Sequence, residues 1–299
     1  MPDLLITGCA ELLTLGGAGP SRGRALGELG IIRDGALLVR DGRIAAVGPR
    51  RSIERQLESR HARKIDLGGR TVLPGFVDSH THLIFPESRA GEHARRIGGE
   101  TYEEIARTGG GIHSTVNALR RASPHTLKER ALRSLKEFAA SGTTTLEAKS
   151  GYGLDLKNEL KILEILRDLD REQPLDIVPT FLGAHVLPPE FRRKPGAFIE
   201  LLVERWIPVV ATRNLAEFCD VFCDRGAFTV AQARRILEAG VAHGLTPRIH
   251  AEQLARTGAA RLAVELQAAS ADHLDQASAA DIRALGKANV VCTLLPGCS

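Results

Sequence analysis

Two rhythms of apolar and polar positions divide this chain. Over residues 1 to about 72, short apolar runs are separated by tight turns, the pattern of β-strands. The clearest piece lies between Ile31 and Gly48, where two apolar runs flank Asp41-Gly42, a dipeptide suited to a two-residue hairpin turn. Residues 16–30 read as a loop. From Thr71 onward, short apolar strands alternate with segments of helical spacing, which predicts parallel βα units. The pattern predicts strands over 71–79, 143–148, 176–182, 218–222, 246–249, 270–273 and 289–295. It predicts helices over 127–141, 157–171, 195–210, 230–243, 258–266 and 278–285. No repeat is visible beyond this alternation.

Closing a barrel of parallel βα units takes eight strands, and the pattern supplies seven before the sequence stops at Ser299. The expected fold class is therefore α/β, a TIM-type (β/α)8 barrel that is incomplete. In such a barrel the strand C-termini converge on one mouth, where active sites sit. The predicted strands end in residues suited to chemistry: His80 and His82, then Glu147, Lys149 and Tyr152, then His185, then Asp220 and Asp224, then His250, then His273. Five of the ten histidines fall at these ends, which points to one shared site. His80 and His82 stand two apart on a strand, so both face one way and suit a single metal ion. Of the others, His61, His125 and His243 read as surface. His93 and His113 lie in a long first βα loop and stay unassigned.

Composition narrows the class. The 299 residues are 43% hydrophobic and 25% charged, enough for a large core. The 40 basic and 36 acidic residues are interspersed, and no basic stripe with interleaved aromatics suggests a nucleic-acid partner. Five cysteines without a CxxC pair read as free thiols in a reducing cytoplasm, with Cys219 and Cys223 as small core residues. The first fifteen residues carry Asp3 and Glu11 and no basic start, unlike a signal peptide. No run of 18 apolar residues suggests a membrane span. Gly109–Gly111 lacks a following Lys-Ser/Thr, so a nucleotide loop is not expected.

The string Val72-Leu73-Pro74-Gly75-Phe76-Val77-Asp78-Ser79-His80-Thr81-His82 resembles the first metal-binding strand of the amidohydrolase superfamily. A closer resemblance, to the imidazolonepropionase family, is carried by several segments. They are His80-Thr81-His82-Leu83-Ile84-Phe85, Arg89, Gly109-Gly110-Gly111-Ile112, Glu147-Ala148-Lys149-Ser150-Gly151-Tyr152-Gly153-Leu154, Phe181-Leu182-Gly183-Ala184-His185 and His250-Ala251-Glu252-Gln253. The resemblance covers nearly the whole chain. It implies hydrolysis of 4-imidazolone-5-propanoate to N-formimidoyl-glutamate in histidine degradation. The metal ligands it implies are His80, His82 and His250, plus an Asp after the eighth strand in an Asp-x-Asn-Pro-Gly-like segment that this sequence does not contain. Residues 1–72 would be the N-terminal part of a composite β-sandwich domain, and 73–299 a C-terminally truncated hydrolase barrel.

Ring opening of a cyclic amide needs an activated water and a stabilised oxyanion, which one zinc or iron ion per chain would supply. His273 would orient the water or shuttle a proton, and His185 would donate to the ring carbonyl. Arg89 is the expected bidentate anchor for the propanoate, with Tyr152 and Tyr102 against the ring. Related deaminases place Glu where Gln253 stands; a glutamine cannot exchange a proton but can bind the ring. Glu252 and Lys149 are read as structural. The expected partner is a small molecule, with a homodimer among the assemblies considered. Alternatives are another cyclic amidase or deaminase of the superfamily, or an inactive open-barrel fragment.

Overall fold

Asp41 and Gly42 both adopt positive φ, 51° and 75°, as a tight hairpin turn of this hand requires. They join β2 (Ile31–Arg40) to β3 (Arg43–Pro49), which pair antiparallel. The computed structural model describes residues 2–17, 19–56, 59, 61–88, 90–100, 104–105 and 110–297. The chain separates into two units, Met1–Gly75 and Phe76–Ser299.

In the first unit, β1 (Leu4–Leu13) pairs antiparallel with β2 and parallel with β4 (Arg63–Val72), giving one mixed sheet in the order β3-β2-β1-β4. Alternate residues bury on its two faces: Leu5, Ala36, Leu38 and Ile53 form one small core, and Cys9, Leu12 and Leu37 the other. The single strand predicted over 71–79 is a correction. Thr71 and Val72 belong to β4, where they pair with Glu11 and Leu12 of β1. Pro74 carries no N–H for a ladder, and a new strand begins only at Phe76.

The second unit holds a seven-stranded parallel sheet whose neighbours in space are neighbours in sequence. Its strands are β5 (Phe76–Thr81), β6 (Thr143–Lys149), β7 (Asp176–Ala184), β8 (Phe218–Cys223), β9 (Thr246–Ala251), β10 (Ser270–His273) and β11 (Val291–Thr293). Helices follow most of them and bury one apolar stripe each. Leu127, Ala131 and Leu135 do so on the helix Pro124–Ala140, and Ile162, Leu163, Leu166 and Leu169 on Leu156–Glu172. The helix starts are written locally. Ser123 and Asp155 accept from the backbone N–H three residues on, and Thr229 with Gln232 and Ser278 with Asp281 form reciprocal capping boxes.

The curved sheet brings its two edge strands to one space. A cavity of about 270 Å³ is lined by Phe76 to His80 of β5 and by Thr293, Leu294 and Leu295 at the end of β11. Two further differences from the sequence pattern stand out. The long first βα loop contains helices Ala90–Ile97 and Ile112–Arg121. The helix over 195–210 is three pieces, Pro195–Leu201, a π turn Leu202–Trp206 and Ile207–Thr212, because Pro208 has no N–H to offer Glu204. Among the described residues no helix is long and apolar enough to cross a membrane.

Gly240 tests this packing. It lies in the helix Val230–Ala242, where alanine would gain about 1 kcal/mol of helix propensity. An added Cβ would stand 2.7 Å from Cys219 Cβ on β8. Overpacking of that kind costs about 1–3 kcal/mol and outweighs the gain. Gly240→Ala should therefore lower the urea midpoint; a higher midpoint would show that helix and sheet are not in this contact.

Candidate metal centre

The alternation of β5 builds the first pair of candidate ligands. Thr81 turns away from the mouth, and its hydroxyl donates to the Glu147 carbonyl of β6 at 2.7 Å. His80 and His82, on either side of it, face the opposite way. Their rings stand 5.9 Å apart between centroids. His250 on β9 stands 4.7 Å from His80, and His273, at the end of β10, stands 5.2 Å from His80 and 5.3 Å from His250. His185 follows β7 and stacks on His82 at 5.2 Å. A cavity of about 400 Å³ is lined by His80, His82, Tyr152, His185, Phe222, His250, Gln253, His273 and Leu295. Seven of the residues named from the sequence thus meet in one space. Arg89 and Tyr102 lie outside the described residues. His113 lies apart from these rings, its Nε2 3.2 Å from Arg192 Nη2.

Beneath the imidazoles lies a buried set of charges that the sequence reading did not assemble. The Lys149 side chain is fully enclosed, and its Nζ stands 2.9 Å from Glu147 Oε1, 2.9 Å from Asp220 Oδ2 and 3.6 Å from Asp272 Oδ2. Arg248 donates to Asp272 Oδ2 at 3.1 Å and to the Ser79 carbonyl at 2.7 Å. The same two aspartates hold two of the imidazoles: His80 Nδ1 is 2.7 Å from Asp272 Oδ2, and His250 Nδ1 is 3.1 Å from Asp220 Oδ1. Burial alone would raise both carboxyls. For Asp220 the contact and hydrogen bond with His250 and the charges of Lys149 and Arg248 outweigh it, and for Asp272 the His80 hydrogen bond and the charges of Lys149 and Arg248 do, so both stay ionised. A carboxylate accepts only, so each ring places its proton on Nδ1 and turns Nε2 to the cavity.

This arrangement suits a metal ion. The ligand atoms of His80, His82 and His250 all lie within 4.8 Å of one another. His250 Nε2 and His82 Nδ1 are buried with no hydrogen-bond partner. An orphaned buried imidazole nitrogen is costly unless a cation uses its lone pair. Burial also pushes His80 down to about 3, His185 to about 3 and His273 to about 4, and drives His82 well below its ordinary value. All four are neutral near pH 7, the form that can ligate.

One expected role changes. His185 Nδ1 lies 3.0 Å from the Gly151 carbonyl, which can only accept. The ring therefore carries its proton on Nδ1, and its Nε2 is an acceptor rather than the donor expected for a ring carbonyl. Glu252, by contrast, sits as expected. Its carboxylate accepts from Thr257, Gly258 and Ala260 N–H at the start of the helix Ala259–Glu265, away from the cavity. Asp224 does the same for Gln253, Leu254 and Ala255. Glu147, Lys149, Asp220 and Arg248 were visible as charges on strand positions, and inward parity with Lys149 or His250 was the signal for Glu147 and Arg248. Asp272 was masked as the neighbour of His273.

The Amidohydrolase family profile matches residues 63–111, and that of the bacterial Imidazolonepropionase-like composite domain matches residues 35–56. The chain is 50% identical over 299 residues to the imidazolonepropionase of Symbiobacterium thermophilum, covering 99% of this chain and 70% of that protein. It is 49% identical over 297 residues to the imidazolonepropionase of Solibacter usitatus, covering 99% and 71%. Among solved structures, a 5-methylcytosine deaminase from Klebsiella pneumoniae superposes with a TM-score of 0.65 at 15% identity, over 96% of this chain and 64% of that one, a likeness of fold.

Two outcomes follow from the buried charges. Lys149→Met leaves three carboxylates without their shared cation and should destabilise the chain by about 3–5 kcal/mol, read from urea unfolding. Unchanged stability would show that the carboxylates do not depend on Lys149. The histidines give a pH signature. Their folded values lie below the ordinary value near 6.5, so the unfolded chain binds more protons between the two. Stability of metal-free protein should be full above about pH 6.5, fall as pH drops toward about 3, and level off below. A flat profile from pH 7 to 4 would contradict burial of neutral rings.

Proposed function

The chain belongs to the imidazolonepropionase family, and from that premise we propose how its residues divide the work of opening the substrate ring. The reaction is hydrolysis of the cyclic amide of 4-imidazolone-5-propanoate to N-formimidoyl-L-glutamate, a step of histidine degradation. The observation that carries the site assignment is the convergence of His80, His82 and His250 with ligand nitrogens left unpartnered in a buried cavity. These three would hold the ion, zinc or iron, one per chain. Bound there, a metal would supply acidification of a water and polarisation of the ring carbonyl.

The protein's own groups do the rest. Asp272 and Asp220 keep the Nδ1 protons of His80 and His250 and so aim both rings. His273, whose Nδ1 has no hydrogen-bond partner in the structure, stands beside both rings and takes the proton of the attacking water for delivery to the leaving nitrogen. His185 Nε2 accepts a ring N–H of the substrate, and Tyr152, 5.3 Å from it, covers the ring face. Gln253 hydrogen-bonds the ring edge from the mouth. It cannot exchange a proton as a glutamate does, which favours ring hydrolysis over deamination. Arg89 is assigned to the propanoate and Tyr102 to the ring. The compartment is the cytoplasm; the free thiols Cys9, Cys219, Cys223 and Cys292 support that placement.

Metal analysis tests the ligand set. His80→Ala or His250→Ala should lose most of the bound metal, and Asp272→Asn should weaken metal affinity by about 10–100-fold, measured by titration against a chelator. Parent-level metal in both alanine variants would remove the assignment. The tail is tested separately. Arg89→Ala should impair turnover of imidazolone-propanoate far more than that of an imidazolone without the carboxylate, and equal losses would show that Arg89 does not bind the tail.

A further inference from the structure

The segment 150–154 after β6 carries Tyr152 into the cavity and offers the Gly151 carbonyl to His185. Its backbone is held in conformations that L residues resist: Gly151 has φ +103° and Leu154 φ +51°. Such a segment persists only where its surroundings over-determine it. Two side chains do so. Glu159, fully buried in the helix Leu156–Glu172, accepts from Gly151 N–H at 2.9 Å, Gly153 N–H at 2.7 Å and Leu154 N–H at 2.9 Å. Arg120, on the helix Ile112–Arg121, donates to the Gly153 carbonyl at 2.8 Å and the Leu154 carbonyl at 3.0 Å. One residue thus gathers the N–H groups of the segment and the other its carbonyls. There is no slack: a Cβ on Gly151 would lie 3.0 Å from His185 Nδ1, and one on Gly153 2.5 Å from Glu159 N.

We propose that Glu159 is a positioning residue for substrate recognition: its carboxylate, with Arg120 as counterpart, holds segment 150–154 so that Tyr152 covers the cavity and the Gly151 carbonyl keeps the proton of His185 on Nδ1. The metal ligands are aimed by a different device, Asp272 and Asp220. Disturbing Glu159 should therefore weaken binding of the organic ligand and leave metal loading intact. A glutamine is the informative replacement. Three N–H groups converge on two oxygens, and the amide NH2 of Gln would point a donor at a donor. Burial raises the Glu159 carboxyl, and the donors from Ser150, Leu154, Gly151 and Gly153 pull against it, which underlines that the ionised form depends on this segment.

The proposal takes the ligand's identity from the imidazolonepropionase assignment, so the test separates the two. Imidazole-4-propanoate, which has the ring and tail but no amide to hydrolyse, is titrated calorimetrically into the zinc-loaded full chain, and the His185 tautomer is followed by ¹⁵N NMR. Glu159→Gln should weaken the probe by about tenfold or more, the scale of one lost buried hydrogen bond, and shift His185 away from the Nδ1–H form. Arg120→Ala, at a partly exposed site, should move both readouts in the same direction by less, and decides the matter if Glu159→Gln does not fold. Zinc per chain should equal the parent in each. Parent-level affinity and tautomer in the variants, or zinc lost in step with affinity, overturns the proposal. Failure of the parent to bind the probe would instead count against the assigned substrate, and the tautomer shift would still decide the role of Glu159.

Discussion

The ion cluster around Lys149 is the constraint on which the site depends. A lysine with no exposed side-chain surface is tenable only while carboxylates surround it, and Glu147, Asp220 and Asp272 do so from three different strands. Two of those carboxylates also grip the Nδ1 atoms of His80 and His250. One buried cation therefore ties β6, β8 and β10 to the rings of β5 and β9. The parallel sheet must keep its register for these contacts to form, and the contacts in turn penalise any slip. The stability of the sheet and the aim of the ligands are the same set of interactions.

Above that layer, the mouth is shaped by carboxylates of a second kind. Among the described residues no ion pair joins a cation to Glu159, Asp224 or Glu252; each instead accepts three or more backbone N–H groups from the chain around the mouth. Loops that carry binding residues are ordinarily the mobile parts of a barrel. Tying their N–H groups to buried oxygens gives Tyr152 and Gln253 a fixed starting geometry at little cost to the strands. The site thus separates into a floor that orients the imidazoles by ion pairs and a rim that orients Tyr152 and Gln253 by backbone hydrogen bonds.

The rim also fixes the tautomer of His185. The chemistry of an amide carbonyl calls for a donor at this place. Its ring nitrogen is instead committed to the Gly151 carbonyl, a group of the rim. The tautomer is set by the neighbour available, and that neighbour lies 34 residues away on the preceding loop.

The amino-acid sequence alone determined the change from strand-and-turn to alternating βα pattern and the parity that puts His80 and His82 on one face. These are local properties, settled by spacing and by side chains within about four residues. It also placed five histidines at strand ends, and the barrel rule was enough to bring them together. Tertiary structure alone decided that Asp272 serves His80 across 192 residues, that Lys149 joins three carboxylates, and that Thr71 and Val72 pair with β1. Pairings of that range depend on the register between strands, and register is a property of the packed sheet that no short stretch of sequence contains.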